Sequence, residues 1–246
     1  EEVMYDALGG VAASDAFSVD VAFNPGSPQV SQFIQNYVLG QVQQITDQQR
    51  ALLTSKVQSG LQQGQNPIAV ARDIKPYIGL TDNQAGAVDN FRALLESNDP
   101  DSLTRELRDH RYAQSISQAL NSGTTLDADA IDTMVARYAD RSLTSRAQTI
   151  GRTEAMNALH QSQNFLWQQA ADSGKVMSSD LYRYWHVGHD ERTCPICKPI
   201  PGMNPDGVAL NAQFQTPVGP VDGPTMHPNC RCVVFTRPHI ASLYNT

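Results

Sequence analysis

The arrangement of the four cysteines constrains this chain more than any other feature. Cys194 and Cys197 form a Cys-x-x-Cys pair, Cys230 and Cys232 form a Cys-x-Cys pair, and His227 lies three residues before Cys230. A Cys-x-x-Cys turn can direct both sulfurs at one ion, and a distant His-x-x-Cys element can complete a tetrahedron around it. This spacing predicts a structural zinc site that brings two remote segments together.

Five candidate ligands compete for the four places around such an ion. We predict that Cys194, Cys197, His227 and Cys230 bind it, with Cys232 as the substitute for His227 or Cys230. His227 ranks above Cys232 because a Cys-x-Cys pair reaches one ion only through a strained turn. Disulfides and simply buried thiols remain open, since spacing alone does not separate metal binding from redox use.

The segment between the two cysteine pairs is rich in proline. Eight of the 14 prolines fall between Pro199 and Pro238. Proline fixes its own backbone and lacks an N–H donor, so this composition predicts turns and extended segments without a helix. A metal at the base of such a loop would order it.

Composition limits the remaining possibilities. The chain has 246 residues, 40% of them hydrophobic, and a net charge of -7. The acidic balance argues against a globally basic nucleic-acid coat and leaves room only for local basic patches. No apolar run approaches 18 residues and no secretory signal pattern is visible, so we expect neither a membrane span nor export.

The first half of the chain carries helix signals. Residues 1–26 have no lasting periodicity and predict an extended arm, and residues 27–142 predict a helical domain. A longer helix should run from Leu143 to about Asp172 and end at Gly174. The expected helix starts are Ser27-Pro28, Thr46 or Asp47, Asn66-Pro67, the capping box from Thr81 to Gln84, Asp99-Pro100 for a helix continuing to Leu120, and Asp127 or Asp129.

The pattern changes after Gly174. Leu181–Val187 and Cys232–Arg237 alternate in the manner of strands, and they flank the cysteine loop. We expect them to pair as a small sheet that carries the metal. The predicted fold class is therefore α+β and helix-dominated, with a helical N-terminal body and, over residues 143–246, a C-terminal domain with a small β element and the zinc-type cysteine knuckle.

Four arginines cluster around the start of the long predicted helix. They could contact a partner or the phosphates of DNA, or they could form a solvated face with ion pairs along the helix. Arg152, together with Glu154, could instead be buried and bonded. The four are Arg137, Arg141, Arg146 and Arg152.

Enzymatic functions find little support in the residues. His186, His189 and Asp190 could form an acid–base set, but strand residues three apart point to opposite faces, so a turn at Gly188 would be needed. A zinc-braced nuclease or other metal-dependent hydrolase acting on DNA is the alternative function, and it would need a second, open metal site. The sequence contains no Gly-rich phosphate loop, no Gly-x-Ser-x-Gly and no HExxH, so we predict a non-enzymatic protein.

Two motifs together resemble a known family. Trp185, the run from Asp190 to Cys197, Gly202 and the run from Pro224 to Cys232 are similar to the C-terminal signature of tailed-phage minor head proteins. Arg146 to Ala155 is similar to a helix motif of the same family, which is named after protein F of phage Mu. The resemblance implies a minor head protein located inside the capsid of the virion and, during assembly, in the host cytoplasm.

The same resemblance implies partners. It points to several copies bound at the portal vertex, acting in head assembly and in DNA packaging and ejection. Packaged DNA and the major capsid or scaffolding protein are further candidate partners. We expect residues 1 to about 60 to dock on the portal, because their glutamine-rich faces are polar without strong charge. Those glutamines are Gln41, Gln43, Gln44, Gln48 and Gln49.

Overall fold

The computed structural model of the protein describes residues 44–188 and 190–238. The predicted arm, the predicted helix from Ser27 and His189 lie outside these residues. Contacts divide the chain into two compact units. We call the one built from Val42–Lys56 and Pro67–Gly151 the helical unit, and the one that contains Val57–Asn66 and the chain from Arg152 onward the knuckle unit.

Within the described residues the fold is helix-dominated with a small C-terminal sheet, as predicted. No helix there is both long and apolar enough to cross a membrane. Single-turn 3-10 helices occupy Lys75–Tyr77, His110–Tyr112 and Ser178–Asp180, and a slightly longer one occupies Pro100–Thr104. The α-helices are α1 (Asp47–Gln62), α2 (Pro67–Ile74), α3 (Asp82–Glu96), α4 (Ala113–Ser122), α5 (Ala128–Asp172) and α6 (Ile200–Met203), and the strands are β1 (Leu181–His186), β2 (Val208–Ala209) and β3 (Val233–Pro238).

Local capping chemistry sets several helix starts. At α3 the Thr81 side chain accepts a hydrogen bond from the Gln84 backbone N–H at 3.2 Å, and the Gln84 side chain accepts from the Thr81 N–H at 3.1 Å. The same reciprocal pair joins Thr46 and Gln49 at the start of α1. Asp127 caps α5 by accepting from the Ala130 N–H at 2.8 Å. Each cap satisfies backbone donors that a helix start leaves without partners, and the predictions at Thr46, Thr81 and Asp127 are confirmed.

The helical unit has a continuous apolar core. Phe91 of α3 stacks on Tyr138 of α5 with ring centroids 4.6 Å apart. Burial of these apolar stripes supplies most of the free energy that holds short helices in place. The buried members of this core are Phe91, Leu95, Ile116, Ile131, Met134, Val135 and Tyr138.

Helix α5 differs from the sequence expectation. We predicted one helix from Asp127 and another from Leu143, but the structure has a single helix of 45 residues, Ala128–Asp172. The segment between Tyr138 and Leu143 contains neither proline nor glycine, so nothing interrupts the backbone hydrogen bonds. The helix ends as predicted, at Gly174 with a φ of 72°.

The helix predicted from Asp99 to Leu120 was also wrong in detail. The chain forms the 3-10 turns Pro100–Thr104 and His110–Tyr112 before α4 begins. Asp109 lies between them, and its carboxylate accepts from the Arg111 backbone N–H at 3.1 Å. Aspartate that bonds the backbone two residues ahead competes with a continuing helix, and here it starts a new one.

The knuckle unit contains a three-stranded antiparallel sheet in the order β2-β1-β3. Strand β1 pairs with β3 along its whole length, with Trp185 opposite Val234 and Tyr184 opposite Phe235. Leu181, Arg183 and Trp185 of β1 are buried, in alternation with more exposed neighbours. The predicted pairing of two strands is confirmed, and the two-residue strand β2 escaped prediction because so short a strand has no period.

The proline-rich loop is more regular than its composition suggests. Its first residues form the short helix α6, with Pro199 at the N-cap and Pro201 in the first turn, where a missing N–H costs nothing. Our expectation that this segment excludes a helix was therefore wrong. The Asn204 side chain bonds the carbonyls of Ile200 and Gln215 at 2.8 and 2.9 Å, so the loop has internal order of its own.

Candidate metal centre

The first cysteine pair lies on a tight turn between β1 and α6. The backbone N–H groups of Cys197 and Lys198 both donate to the Cys194 carbonyl at 3.0 Å. The turn then runs directly into α6, since the Ile200 N–H bonds the Cys197 carbonyl at 3.1 Å. This folding of the chain places both sulfurs on the same side of the backbone turn, as Cys-x-x-Cys knuckles require.

The second cysteine element is a turn that starts at His227. The Cys230 N–H donates to the His227 carbonyl at 3.1 Å, and Asn229 between them has a φ of 58°. After glycine, asparagine is among the residues that adopt this left-handed conformation most readily. The turn brings His227 Nε2 to 3.2 Å from Cys197 Sγ.

The five candidate ligands form two overlapping groups. In the group of Cys194, Cys197 and His227, the ligand atoms lie within 4.8 Å of one another, and the same holds for Cys197, Cys230 and Cys232. Cys197 belongs to both groups. All four cysteines are free thiols. The Cys-x-Cys pair, which we expected to need a strained turn to reach one ion, does bring both sulfurs close to Cys197.

Most of the sulfur cluster is buried in apolar surroundings. Cys197 and Cys230 are each 1% exposed and Cys232 is 4% exposed. Cys194 and His227 are half-buried. The cysteines pack with Trp185, Ile200 and Phe214, and the rings of Trp185 and Phe214 meet edge to face at 5.2 Å. The cluster is thus part of the hydrophobic core of the knuckle unit.

Burial and mutual contact shape the thiol chemistry. Burial raises the pKa of Cys197 to about 12. A hydrogen bond from the Cys232 thiol lowers the pKa of Cys230 to about 5, and the same bond, with burial, raises the pKa of Cys232. Within the Cys230–Cys232 pair, the hydrogen bond therefore favours the thiolate at Cys230. Several thiolates in this place would need a cation among them.

Two side chains of α5 hold the second cysteine element. Thr153 Oγ1 accepts from the Asn229 N–H at 2.9 Å, and the His160 ring lies with Nε2 3.1 Å from the Cys232 carbonyl oxygen. Burial lowers the pKa of His160 to about 4, so the ring is neutral at pH 7 and Nε2 carries the proton that it donates. Sequence reasoning missed both residues in this role, although their spacing of seven places them on one helix face.

An ion pair joins the outer edges of the two cysteine elements. Arg231, between Cys230 and Cys232, donates to both oxygens of Asp190 at 2.8 and 2.5 Å. These hydrogen bonds hold the pKa of the Asp190 carboxyl well below its usual range. Asp190 thereby acts as a tie between the elements, which leaves it poorly suited to the acid–base role that we considered with His186 and His189.

The donor set fits zinc. Thiolate sulfur and imidazole nitrogen are its usual structural ligands, and in a tetrahedral site with Zn–S bonds of 2.3 Å neighbouring ligand atoms lie about 3.8 Å apart. The separations within each group of three reach 4.8 Å at most, so small side-chain rotations would bring three ligand atoms to these distances, and the fourth ligand would come from the other group. Cys194, Cys197, His227 and Cys230 could supply such a site, and Cys232 could replace one of them; which four bind stays a prediction.

The predicted contact arginines have different surroundings. Arg137, Arg141 and Arg152 are exposed on α5. Arg146 is only 8% exposed, and its guanidinium donates to the carbonyls of Gly79 at 2.6 Å and Gln44 at 3.3 Å. Burial lowers its pKa. A contact of any of the four with DNA or a partner stays a prediction.

The other residues that we singled out are also placed. Glu154 is completely buried, as considered, whereas Arg152 of the same motif is exposed. His186 is exposed at the end of β1, with its ring 5.8 Å from that of Phe235. His186 thus lies apart from the cysteine core.

Comparison with known proteins gives the family. The family model of Phage Mu protein F like proteins matches residues 110–235, just over half of the chain. The chain therefore belongs to this family, as its motifs predicted, and is a phage head-morphogenesis protein. No curated protein matches it significantly, and no solved structure does either.

Proposed function

We propose that this chain is a non-enzymatic minor head protein that docks on the portal vertex inside the capsid and acts in assembly and in DNA packaging and ejection. The observation that carries the proposal is the joint family match over α4, α5, the sheet and both cysteine elements. The match includes the α5 residues that bond the knuckle, Thr153 and His160. Membership of a head-morphogenesis family supports a place in the virion.

The knuckle contributes a structural zinc to this function. Catalytic zinc sites keep a position open to water or substrate, whereas structural sites are closed by four protein ligands. Here Cys197, Cys230 and Cys232 are buried against Trp185 and Phe214. This burial favours a closed site, in which the metal holds β1, the proline-rich loop and the His227 turn together.

The portal-binding segment is expected within residues 1 to about 60. Two glutamines of this segment, Gln48 and Gln49, differ in their surroundings. Gln48 is exposed on α1, whereas Gln49 is engaged within the protein, since its side chain bonds the Thr46 N–H at 2.9 Å and the Tyr77 carbonyl at 3.2 Å. Docking through α1 would therefore use Gln48 and its exposed neighbours.

Co-purification with the portal protein of the same phage tests the proposal. Leu53 and Val57 of α1 are completely buried, so deletion should stop before α1 and remove only residues 1–43. We expect the full chain to co-purify with the portal and the shortened chain to lose most of this binding. The matched control is Gln49→Ala, which alters the cap but should leave docking intact.

Two outcomes decide the proposal. Retained binding by the shortened chain would place the contact on α1, which that chain keeps, or in the rest of the protein, and absence of binding by the full chain would remove portal docking altogether. The same preparations should be incubated with DNA in magnesium, manganese and zinc. Cleavage that disappears in Cys197→Ser would replace the structural function by the nuclease alternative.

A further inference from the structure

Trp185 has a buried hydrogen-bond donor without an acceptor. Its side chain is 4% exposed, and the indole Nε1 is buried with no hydrogen-bond partner among the residues that the structure describes. The indole N–H can only donate. An unpaired donor in the interior destabilises a fold, and native interiors rarely contain one. The unpaired N–H therefore marks a place where the protein with its metal has an acceptor.

The sheet places Cys232 beside this indole. Trp185 of β1 lies opposite Val234 of β3, and side chains that lie opposite each other in an antiparallel pair share one face of the sheet. Cys232 lies two residues before Val234, directly ahead of β3, so it is the diagonal neighbour of Trp185 on that face. Diagonal neighbours lie within reach of an aromatic side chain. All three residues accordingly belong to one hydrophobic cluster.

The acceptors that the side chains of this cluster offer are sulfur atoms. Apart from Trp185 itself, these side chains are hydrocarbon or contain sulfur. A thiol is a weak acceptor, whereas a thiolate is charged and accepts a stronger hydrogen bond. The Cys230 hydrogen bond and burial raise the pKa of the Cys232 thiol, and the Trp185 N–H acts in the opposite direction. The indole donor is therefore matched to a charged sulfur at Cys232.

A charged sulfur at this position is what a metal ligand provides. Cysteine binds zinc as the thiolate. The Cys232 sulfur lies within 4.8 Å of the sulfurs of Cys197 and Cys230, and these three cysteines are the most buried of the five candidate ligands. A structural zinc site is closed in the same way. The spacing in the sequence ranked His227 above Cys232 because it contained no information about the neighbouring indole.

We infer that Trp185 is a positioning residue of the metal centre, whose indole N–H donates to the Cys232 sulfur and makes Cys232, with Cys197 and Cys230, a zinc ligand. The two half-buried candidates compete for the fourth place. The inference rests on the structural zinc proposed above. It gives Trp185 a function in metal binding in addition to its packing in the core.

An isosteric replacement of the indole tests the hydrogen bond. Benzothienylalanine has the shape of tryptophan with sulfur instead of the N–H, so it removes the donor and keeps the packing. The full chain carries it in place of Trp185, and the matched control carries it in place of Trp167, the other tryptophan, which is 8% exposed and belongs to a separate cluster. Competition with a chromophoric chelator measures the zinc affinity of each chain.

We expect the replacement at Trp185 to weaken zinc binding about tenfold, as the loss of other hydrogen-bond partners of metal ligands does. The replacement at Trp167 should leave the affinity unchanged. Unchanged affinity after replacement of Trp185, or an equal loss after replacement of Trp167, would overturn the inference.

Nuclear magnetic resonance of the indole protons separates hydrogen bonding from packing. The Trp185 N–H signal is identified by its absence from the replaced chain. It should move downfield when zinc is added to the metal-free wild-type chain, while the Trp167 signal stays in place. A Trp185 signal that does not move would overturn the hydrogen bond, even if the replacement lowers the affinity.

Substitution of Cys232 tests its place among the ligands. Cys232→Ser should weaken zinc binding by more than about a hundredfold, which exceeds the effect of losing a partner that only bonds a ligand. Near-normal zinc affinity in a folded Cys232→Ser chain would overturn the inference and leave the structural zinc in place. A wild-type chain that binds no zinc would instead reject the zinc site itself, and the inference with it.

Discussion

Thr153 and His160 lie seven residues apart on the same face of α5, and they bond the chain on either side of Cys230. The Thr153 hydroxyl oxygen accepts a hydrogen bond from the Asn229 N–H, and the His160 ring donates one to the Cys232 carbonyl. The helix thus holds the turn that carries the second cysteine pair. This arrangement gives a physical reason for a helix motif around Thr153 to occur together with the cysteine elements.

Replacement of Thr153 by valine tests this support. Valine has a similar shape but no hydroxyl, so the half-buried hydrogen bond from the Asn229 N–H to Thr153 is lost. We expect a loss of about 1–3 kcal/mol in the free energy of unfolding, measured by denaturant titration, and weaker cobalt binding followed by the visible absorption of the thiolate complex. Thr153→Ser keeps the acceptor and should retain most of both properties. Equal losses in the two variants would assign the effect to packing.

Zinc binding provides a second prediction. We expect one zinc per chain by elemental analysis. Cys197 belongs to both possible ligand groups, so Cys197→Ser should abolish stoichiometric zinc under every arrangement. His227→Ala should lower the zinc affinity strongly, whereas Cys232→Ser should retain the metal if His227 is the preferred ligand. Retention by His227→Ala together with loss in Cys232→Ser would reverse that preference, and metal-free wild-type protein would contradict the site itself.

Removal of the metal should act locally. The loop has bonds of its own through Asn204, and the helical unit has a separate core around Phe91. A chelator, or Cys194→Ser, should therefore increase amide hydrogen exchange around β1, the loop and the His227 turn while α3 and α4 stay protected. General loss of protection across both units would show that the metal stabilises the whole chain.

The sequence allowed the cysteine elements, most caps and the β1–β3 pair to be predicted, because each depends on residues close together in the chain. Thr46, Thr81 and Asp127 are examples in which a side chain accepts a hydrogen bond from the backbone N–H three residues further along the chain. Contacts that depend on tertiary packing could not be predicted in this way. Nothing near His160 indicates that its ring meets the Cys232 carbonyl, and nothing near Arg146 shows that its donors meet Gly79 and Gln44.

A pair of glycine substitutions tests the packing of α5 on α2 in the helical unit. A Cβ at Gly151 would lie 2.7 Å from the Pro67 carbonyl oxygen, so the backbone would have to shift. We expect Gly151→Ala to lower the free energy of unfolding by about 1–3 kcal/mol. Gly86, inside α3, has open space around it, and Gly86→Ala should raise stability by about 0.5–1 kcal/mol. If both substitutions changed the free energy of unfolding in the same direction, the close approach of α5 to α2 at Gly151 would be contradicted.

Asp109 gives a pH prediction. Hydrogen bonds from the Arg111 side chain and backbone hold the pKa of the Asp109 carboxyl well below its usual range. A lowered folded pKa stabilises the protein above the unfolded pKa of about 3.9, and the benefit is lost as pH falls through the folded value. Asp109→Asn keeps a capping oxygen but not the charge. Its stability deficit against wild type should therefore shrink below about pH 4, in denaturant titrations at several pH values.

Continuity of α5 limits how this protein can be taken apart. The helix contributes Ala128–Gly151 to the helical unit and Arg152–Asp172 to the knuckle unit, with no loop at the change. A cut there would create two uncapped helix ends, and about four backbone groups at each end would lose their hydrogen-bond partners. The part of the chain after Gly151 therefore cannot be excised or transplanted at that point. A chimaera with a related protein should keep α5 intact.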